Sequence, residues 1–208
     1  MSQLKLTADG GGGTVAIKAP ASTTGNAALD LTVPGTASDT LDSLKRAGNI
    51  IQVVSVTKTD VASNSTASQT WWSYTDSSLR VTITPTSASS KIWITGSLTL
   101  GVDSQQSMFM RLEKDGVRID AASGDASGNH SRCMTATQHA SNENMPHPNK
   151  IVNYLDTAGN TNSRYYNFGL AHTSGSTKTI YINRGHQTTD TFYIPKCSST
   201  ITAVEVAA

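Results

Sequence analysis

The sequence predicts an all-β protein whose main part is an antiparallel two-sheet sandwich. Serine and threonine account for 26 and 29 of the 208 residues, and these side chains disfavour helix interiors but suit strands and turns. About a dozen short runs after residue 49 alternate between apolar and polar side chains, which is the period of a half-buried strand. A series of this size, separated by turn residues, is typical of a sandwich.

Composition argues against two classes of function. Charged residues make up 15% of the chain and the net charge is +1, so we expect no basic surface for nucleic acid. No apolar run approaches the roughly 20 residues that cross a bilayer, and residues 1–13 lack the apolar region of a signal peptide. We therefore expect no nucleic-acid binding, no membrane insertion and no export.

Residues 1–48 differ from the rest because they contain no Trp, Tyr or Phe. Alternating runs at 14–18 and 28–33 predict short strands, and four glycines at 10–13 precede the first of them. So small a β segment is marginal alone, but three copies side by side could pair their edges and share a core. We expect a homotrimeric stem with a core formed by Val15, Ile17, Leu29, Leu31 and Val33.

A short connector helix is predicted over residues 38–48, between the stem (1–48) and the head (49–208). Ser38 can cap its first turn, Leu41 and Leu44 share one face, and Gly48 can end it. Its acidic residues come early and its basic residues late, as the helix dipole favours.

The head contains the predicted strands in close succession. The strongest local signal in the head predicts a hairpin, because Asp115-Gly116 readily supplies the positive φ angles of a tight turn. The predicted strands are 50–57, 70–74, 79–84, 91–100, 107–113, 117–120, 133–138, 150–155, 164–171, 178–183, 191–194 and 199–206.

Aromatic residues are few, and their positions matter for the core. Strand alternation places Trp72 and Tyr74 on one face and Trp71 on the other. One face should be core, and the other should present a ring either to a neighbouring subunit or to a ligand such as a sugar. Tyr165-Tyr166 poses the same alternatives, and we expect Trp93 in the core.

Two long polar connections, 121–132 and 141–149, are the predicted recognition surface of the head. Loops of this kind carry binding when a rigid strand scaffold presents them. The candidate contact residues are Ser127, Asn129, His130, Asn142, Asn144 and His147.

Catalytic, cofactor and metal signals are weak, so we expect no enzyme, no cofactor and no metal ion. The five histidines lack metal-site spacing, no G-x-S-x-G turn exists, and the glutamates are isolated. Asp120, Asp125 and Asn129 could offer oxygens to calcium, but a plain polar loop is the favoured interpretation. Cys133 and Cys197 belong to no metal-spaced set and are expected to remain thiols.

The stretches 50–60, 79–92, 179–184 and 198–206 together resemble a recurrent domain of tailed-bacteriophage virion proteins familiar from marine phages. The segments 13–20 and 29–34 are similar to the N-terminal stems of phage tail fibres and head-attached fibres. These similar stretches cover most of the chain. They are β segments without a catalytic signature, so they indicate a class of structural proteins.

The resemblance implies a structural virion protein, assembled in the host cytoplasm, that forms a homotrimer with a jelly-roll-like head. The stem would dock on other virion proteins, and the head of a tail-fibre-type appendage would adhere to the host surface, with a cell-surface glycan as partner. The alternative is a capsid decoration protein or head fibre. The chain lacks the shaft repeat of long tail fibres, which disfavours a long reaching fibre.

Overall fold

The computed structural model describes residues 3–7, 14–18, 47–103, 106–137 and 147–208; residues 3–7, 14–18 and 147–148 are described by their backbone alone. The chain divides into two compact units, Met1–Asp42 and Ser43–Ala208. The described secondary structure consists almost entirely of strands, which confirms the all-β class. Within these residues, no helix is long and apolar enough to span a bilayer.

In the first unit, two short strands pair in antiparallel fashion. β1 is Gln3–Thr7 and β2 is Thr14–Lys18, and their register sets Leu6 opposite Val15 and Leu4 opposite Ile17. Three further residues of the predicted stem core and most of the predicted connector helix (38–46) lie outside the described residues; the three are Leu29, Leu31 and Val33. The end of that helix segment, Ala47 and Gly48, is a turn, and the trimeric stem stays a prediction.

The first sheet of the head has six antiparallel strands in the order β3-β14-β7-β13-β4, with β11 paired to the opposite side of β7. The long strand β7 holds the sheet together, because it pairs with β11, β14 and β13. The strands are β3 Ile50–Lys58, β4 Ala62–Thr66, β7 Lys91–Val102, β11 His147–Thr157, β13 Lys178–Ile182 and β14 Ser199–Val206.

The second sheet is built around β12, which pairs with β8 on one side and with β5 and β6 on the other. β10 and β9 extend the sheet beyond β8. The strands are β5 Trp72–Tyr74, β6 Val81–Ile83, β8 Met108–Lys114, β9 Val117–Arg118, β10 Thr135–Thr137 and β12 Arg164–His172. Two single 3-10 turns, Ser77–Leu79 and Asp120–Ala122, lie in the connections.

The two sheets face each other across one hydrophobic core. Ile92 and Ile94 enter it from β7, and Tyr166 and Phe168 enter from β12; all four are fully buried. Burying an aliphatic or Phe side chain of this size contributes about 1.5–3 kcal/mol before the entropy of ordering is subtracted. This core confirms the predicted antiparallel sandwich.

Most predicted strands are present, but 191–194 is wrong. The amide of Ile194 donates to the carbonyl of Thr191 at 3.2 Å, which closes a turn. Phe192 and Tyr193 are 96% and 81% exposed, so the large side chains of this segment do not pack against either sheet. Conversely, β4 was not predicted, because its sequence Ala-Ser-Asn-Ser-Thr has no apolar alternation and its pairing with β13 comes from the backbone.

The prediction that Trp93 lies in the core is also wrong. Its ring is 41% exposed. Ile92 and Ile94 occupy the inward positions on either side, so strand alternation turns Trp93 to the outer face.

Candidate binding site

A candidate site lies on the outward face of the second sheet, where β8, β12 and β5 run side by side. Alternation along β8 sends Met110 and Leu112 into the core and turns Phe109 and Arg111 outward. The register with β12 places Phe109 opposite Ala171. A small side chain therefore lies next to a large ring on this face.

A second ring completes a trough across Ala171. The register of β5 with β12 pairs Trp72 with Leu170. Trp71 precedes β5 by one residue and lines the same cavity as Ala171. The trough therefore has Ala171 between the rings of Phe109 and Trp71. Its volume is about 490 Å³ and its lining is Gln69, Trp71, Phe109, Asn129, Ser131, Ala171, His172 and Thr173.

The Trp71 ring rests on a fixed cation. The guanidinium carbon of Arg111 lies 4.3 Å from the ring centroid, which is within cation–π range. The side chain of Glu113 is fully buried, and its Oε1 lies 2.7 Å from Arg111 Nη2. Glu113 also accepts hydrogen bonds from Asn167 Nδ2 at 2.8 Å and from the Ser73 hydroxyl. The pair therefore supports the ring, and the charge of Arg111 is neutralised.

Gly169 makes room for this ion pair. It lies opposite Arg111 on β12, and a Cβ built on it would overlap the Glu113 carboxylate and the Arg111 side chain. Any larger residue at position 169 would displace the support beneath Trp71.

The histidine of the trough is held by two hydrogen bonds. His172 is buried, its Nε2 is 3.1 Å from the carbonyl oxygen of Thr66, and its Nδ1 accepts the amide N–H of Ser174 at 3.2 Å. Both ring nitrogens of His172 are therefore occupied within the protein. Besides His172 and Ala171, the lining of the trough consists of aromatic rings, amides and hydroxyls.

Of the predicted contact residues that the structure describes, one lies at the trough. Asn129 lines it, whereas Ser127 and His130 are exposed in the adjoining turn, where the His130 amide donates to the Ser127 carbonyl at 3.1 Å. His147 begins β11 in the first sheet, away from the trough. Asn142 and Asn144 are outside the described residues.

The sequence did not single out Phe109 or Ala171 as site residues. Phe109 lies in Met-Phe-Met-Arg-Leu, which resembles a core strand, and its face became clear only from the pairing with β12. The alternation around Trp72 and Tyr74 did give a signal. Tyr74 is in the core, Trp72 packs against it, and Trp71 lies on the other face.

Two arginines contact Asp120, one of the three residues considered as calcium ligands. Asp120 Oδ1 accepts from Arg118 Nε at 2.7 Å, and Oδ2 lies 3.4 Å from Arg132 Nη1. The hydrogen bond from Arg118 holds the pKa of Asp120 below its ordinary value. Within the described residues, no three His, Cys, Asp or Glu side chains are grouped to hold a metal ion. Cys133 and Cys197 are free thiols.

No protein-family model and no curated protein matches the chain. Among solved structures, the chain is similar to the crystal structure of the infectious bursal disease virus VP2 subviral particle, with 14% sequence identity and a TM-score of 0.31. The likeness covers 94% of this chain and 47% of that one, so the chain spans about half the length of that structure. A likeness of this degree carries no conclusion about function.

Proposed function

We propose that this chain is a structural protein of a bacteriophage virion, a homotrimeric tail-fibre-type appendage whose head adheres to a glycan on the host surface. The virion class rests on the resemblance of the strand segments and of the stem. Adhesion rests on one observation: the trough between Trp71 and Phe109, with Asn129 on its rim.

The chemistry of the trough favours a neutral sugar. The faces of a pyranose ring carry C–H groups that pack on aromatic side chains, and its hydroxyls bond to amide and hydroxyl groups. The trough offers both kinds of contact, in the combination typical of ligand sites. An anionic sugar would gain no free cation, because Glu113 already neutralises Arg111.

Weak binding by one head is sufficient for such a role. Three heads on one appendage, and several appendages on one particle, bind repeated surface sugars with an avidity far above that of a single site. The expected affinity of one head for a short glycan is therefore low.

The test is the binding of the full-length protein to host cells and to neutral polysaccharide prepared from them. Trp71→Ala and Phe109→Ala should each reduce retention strongly. Asn129→Ala removes an exposed amide at little cost to folding, and should weaken binding by roughly 3- to 10-fold, as the loss of one hydrogen bond predicts.

Phe192→Ala is the matched control, because its ring is 96% exposed and lies outside the trough. Thermal unfolding of each variant separates loss of binding from loss of fold. If folded Trp71→Ala and Asn129→Ala proteins bind host cells as well as the original protein does, the trough is not the adhesion site.

A further inference from the structure

The outward face of the first sheet carries a continuous apolar row across four strands. The registers align Val53 on β3 with Val204 on β14, Val204 with Trp93 on β7, and Trp93 with Leu155 on β11. Val53, Trp93 and Leu155 are 58%, 41% and 56% exposed, and Val204 between Val53 and Trp93 is 6% exposed. Ile151, two outward positions further along β11, is 73% exposed. We call these residues the apolar row.

Polar side chains beside the apolar row already bond to one another. The hydroxyl oxygens of Ser55 and Thr202 are 2.8 Å apart, and those of Thr57 and Thr200 are 2.9 Å apart. Such pairs satisfy part of their hydrogen bonding without water. This part of the face can therefore be covered at a smaller desolvation cost than unpaired hydroxyls would carry.

The face is also nearly free of charge. Along the described residues of β3, β14, β7 and β11 that share the outward side of the apolar row, Lys91 is the charged residue, and its Nζ donates to Thr157 Oγ1 at 2.9 Å. The indole N–H of Trp93 donates to Asn153 Oδ1 at 2.6 Å. The apolar row itself carries no charge, so it offers nothing to attract an acidic or a basic partner and can meet an identical row without burying an unpaired charge. Lys91 lies at the first residue of β7, at the edge of this face.

The area of the apolar row fits an interface between proteins. Its exposed fractions correspond to roughly 450 Å² of surface, within the range of functional patches on monomers, and a standard interface buries about 800 Å² per partner. The apolar row would supply the centre of such an interface, and the surrounding Ser, Thr and Asn side chains its polar rim.

The apolar row ends on β11, a strand that has a partner on one edge alone among the described residues. Among the described residues, β11 pairs with β7 alone, so the other edge of β11 leaves backbone groups that a further chain can meet. Ile151 and Leu155 both belong to this edge strand. From the register, the neutrality and the area, we propose that the apolar row is the surface through which one head packs against a second copy of this chain.

Photo-cross-linking of the full-length protein tests this proposal directly. Leu155→p-benzoylphenylalanine places the cross-linker on the apolar row, and Val117→p-benzoylphenylalanine is the matched control, since Val117 is 69% exposed on the second sheet. Each protein is irradiated as a mixture of isotope-labelled and unlabelled chains. Position 155 should give cross-linked peptides of mixed isotope composition, and position 117 should not.

A second change reports on the face itself and does not depend on the stem. Val53→Glu in the Leu155 cross-linker protein places an unpaired charge at the far end of the apolar row and should reduce the mixed cross-link by about tenfold or more. Val53 is exposed, so the variant should fold. Cross-links confined to one chain would assign the face to another segment of the same molecule and would overturn the proposal. An absent cross-link, or equal yields from positions 155 and 117, would overturn it as well.

Discussion

Gln69 lines the trough and has a strained backbone. Its φ angle is 57°, in the left-handed region that costs a residue with a Cβ about 1–2 kcal/mol. The turn is closed by the amide of Thr70, which donates to the carbonyl of Ala67 at 3.2 Å. A strained residue lowers the stability of the fold, so its position beside a proposed binding site indicates that its side chain serves binding.

Gln69→Gly should therefore stabilise the fold and weaken binding. Glycine adopts the positive φ angle without strain, so we expect the free energy of unfolding to rise by up to about 1 kcal/mol, while host-cell retention falls because the side-chain amide is lost. Denaturant unfolding and cell binding measure the two effects. Gly175→Ala, at an open position, is the control. Unchanged binding by Gln69→Gly would remove Gln69 from the site.

Glu205 is a fully buried carboxylate that joins three parts of the head. It accepts hydrogen bonds from Gln52 Nε2 at 2.5 Å, and from the amide and hydroxyl of Thr86 at 2.8 and 2.9 Å. Burial opposes its ionisation, but these hydrogen bonds outweigh burial and hold the pKa of Glu205 below its ordinary value. The ionised form therefore stabilises the folded state.

The stability that Glu205 contributes is present above the ordinary glutamate pKa of about 4.3, and is lost as the pH falls through the lowered pKa. Glu205→Gln should reduce the free energy of unfolding at neutral pH by about 1–3 kcal/mol. Between neutral and acid pH, the free energy of unfolding of the Glu205→Gln protein should fall by less than that of the original protein. Denaturant unfolding at several pH values measures both effects, with Asp190→Asn, on an exposed residue, as control. Identical acid sensitivity of the Glu205→Gln and original proteins would contradict this assignment.

At the scale of elements, the β8–β9 hairpin shows how a local signal fixes a register. Asp115 and Gly116 both have positive φ angles, 53° and 76°, which confirms the predicted tight turn. Asp115 also ties the turn to β12, because its amide donates to the Tyr165 carbonyl and its carboxylate accepts the Tyr165 amide, both at 2.9 Å. The turn therefore sets the register of β8 and, through it, the position of Phe109.

Gly116→Ala should destabilise the head by about 1 kcal/mol or more, because a residue with a Cβ is strained at the positive φ angle of position 116. The added Cβ would also lie 3.3 Å from the hydroxyl of Tyr165. Gly124→Ala is the matched control, since its φ angle is ordinary and its Cβ would meet no atom closer than 3.6 Å. Denaturant unfolding compares the two variants. Equal stabilities would show that the turn geometry contributes little.

Among the side chains that the structure describes, the largest fully buried ones all belong to residues 79–170. The sandwich therefore holds its own core, whereas the expected role of residues 1–48 is assembly. This division separates folding from incorporation into particles.

Deletion of residues 1–48 should leave a head that unfolds cooperatively but no longer enters phage particles. Ile17→Asp tests the same stem by a single change, because Ile17 lies opposite Leu4 and a carboxylate there would disfavour a shared trimer core. Thermal unfolding and the protein content of purified particles measure the outcomes. Cryo-microscopy of the particles then distinguishes a tail fibre from a capsid decoration protein. A deleted chain that still assembles would contradict the docking role of the stem.

Alternation and turn residues are local properties, so the class of fold and most of the strands could be predicted from the sequence. Period two located 199–206 to the residue, and Asp115-Gly116 located the hairpin. The same local reading led to the wrong face for Trp93, since a short run of three large apolar residues does not state which of them points inward.

Only the tertiary structure decided which strands are neighbours, and both proposed surfaces depend on that. Phe109, Ala171 and Trp71 are far apart in the chain, and the pairing of β8, β12 and β5 makes them one trough. Val53 and Leu155 likewise join one apolar row through β14 and β7. The physical reason is that strand pairing is made by backbone hydrogen bonds, which every residue except proline can donate, so the side-chain pattern that reveals a strand does not name its partner.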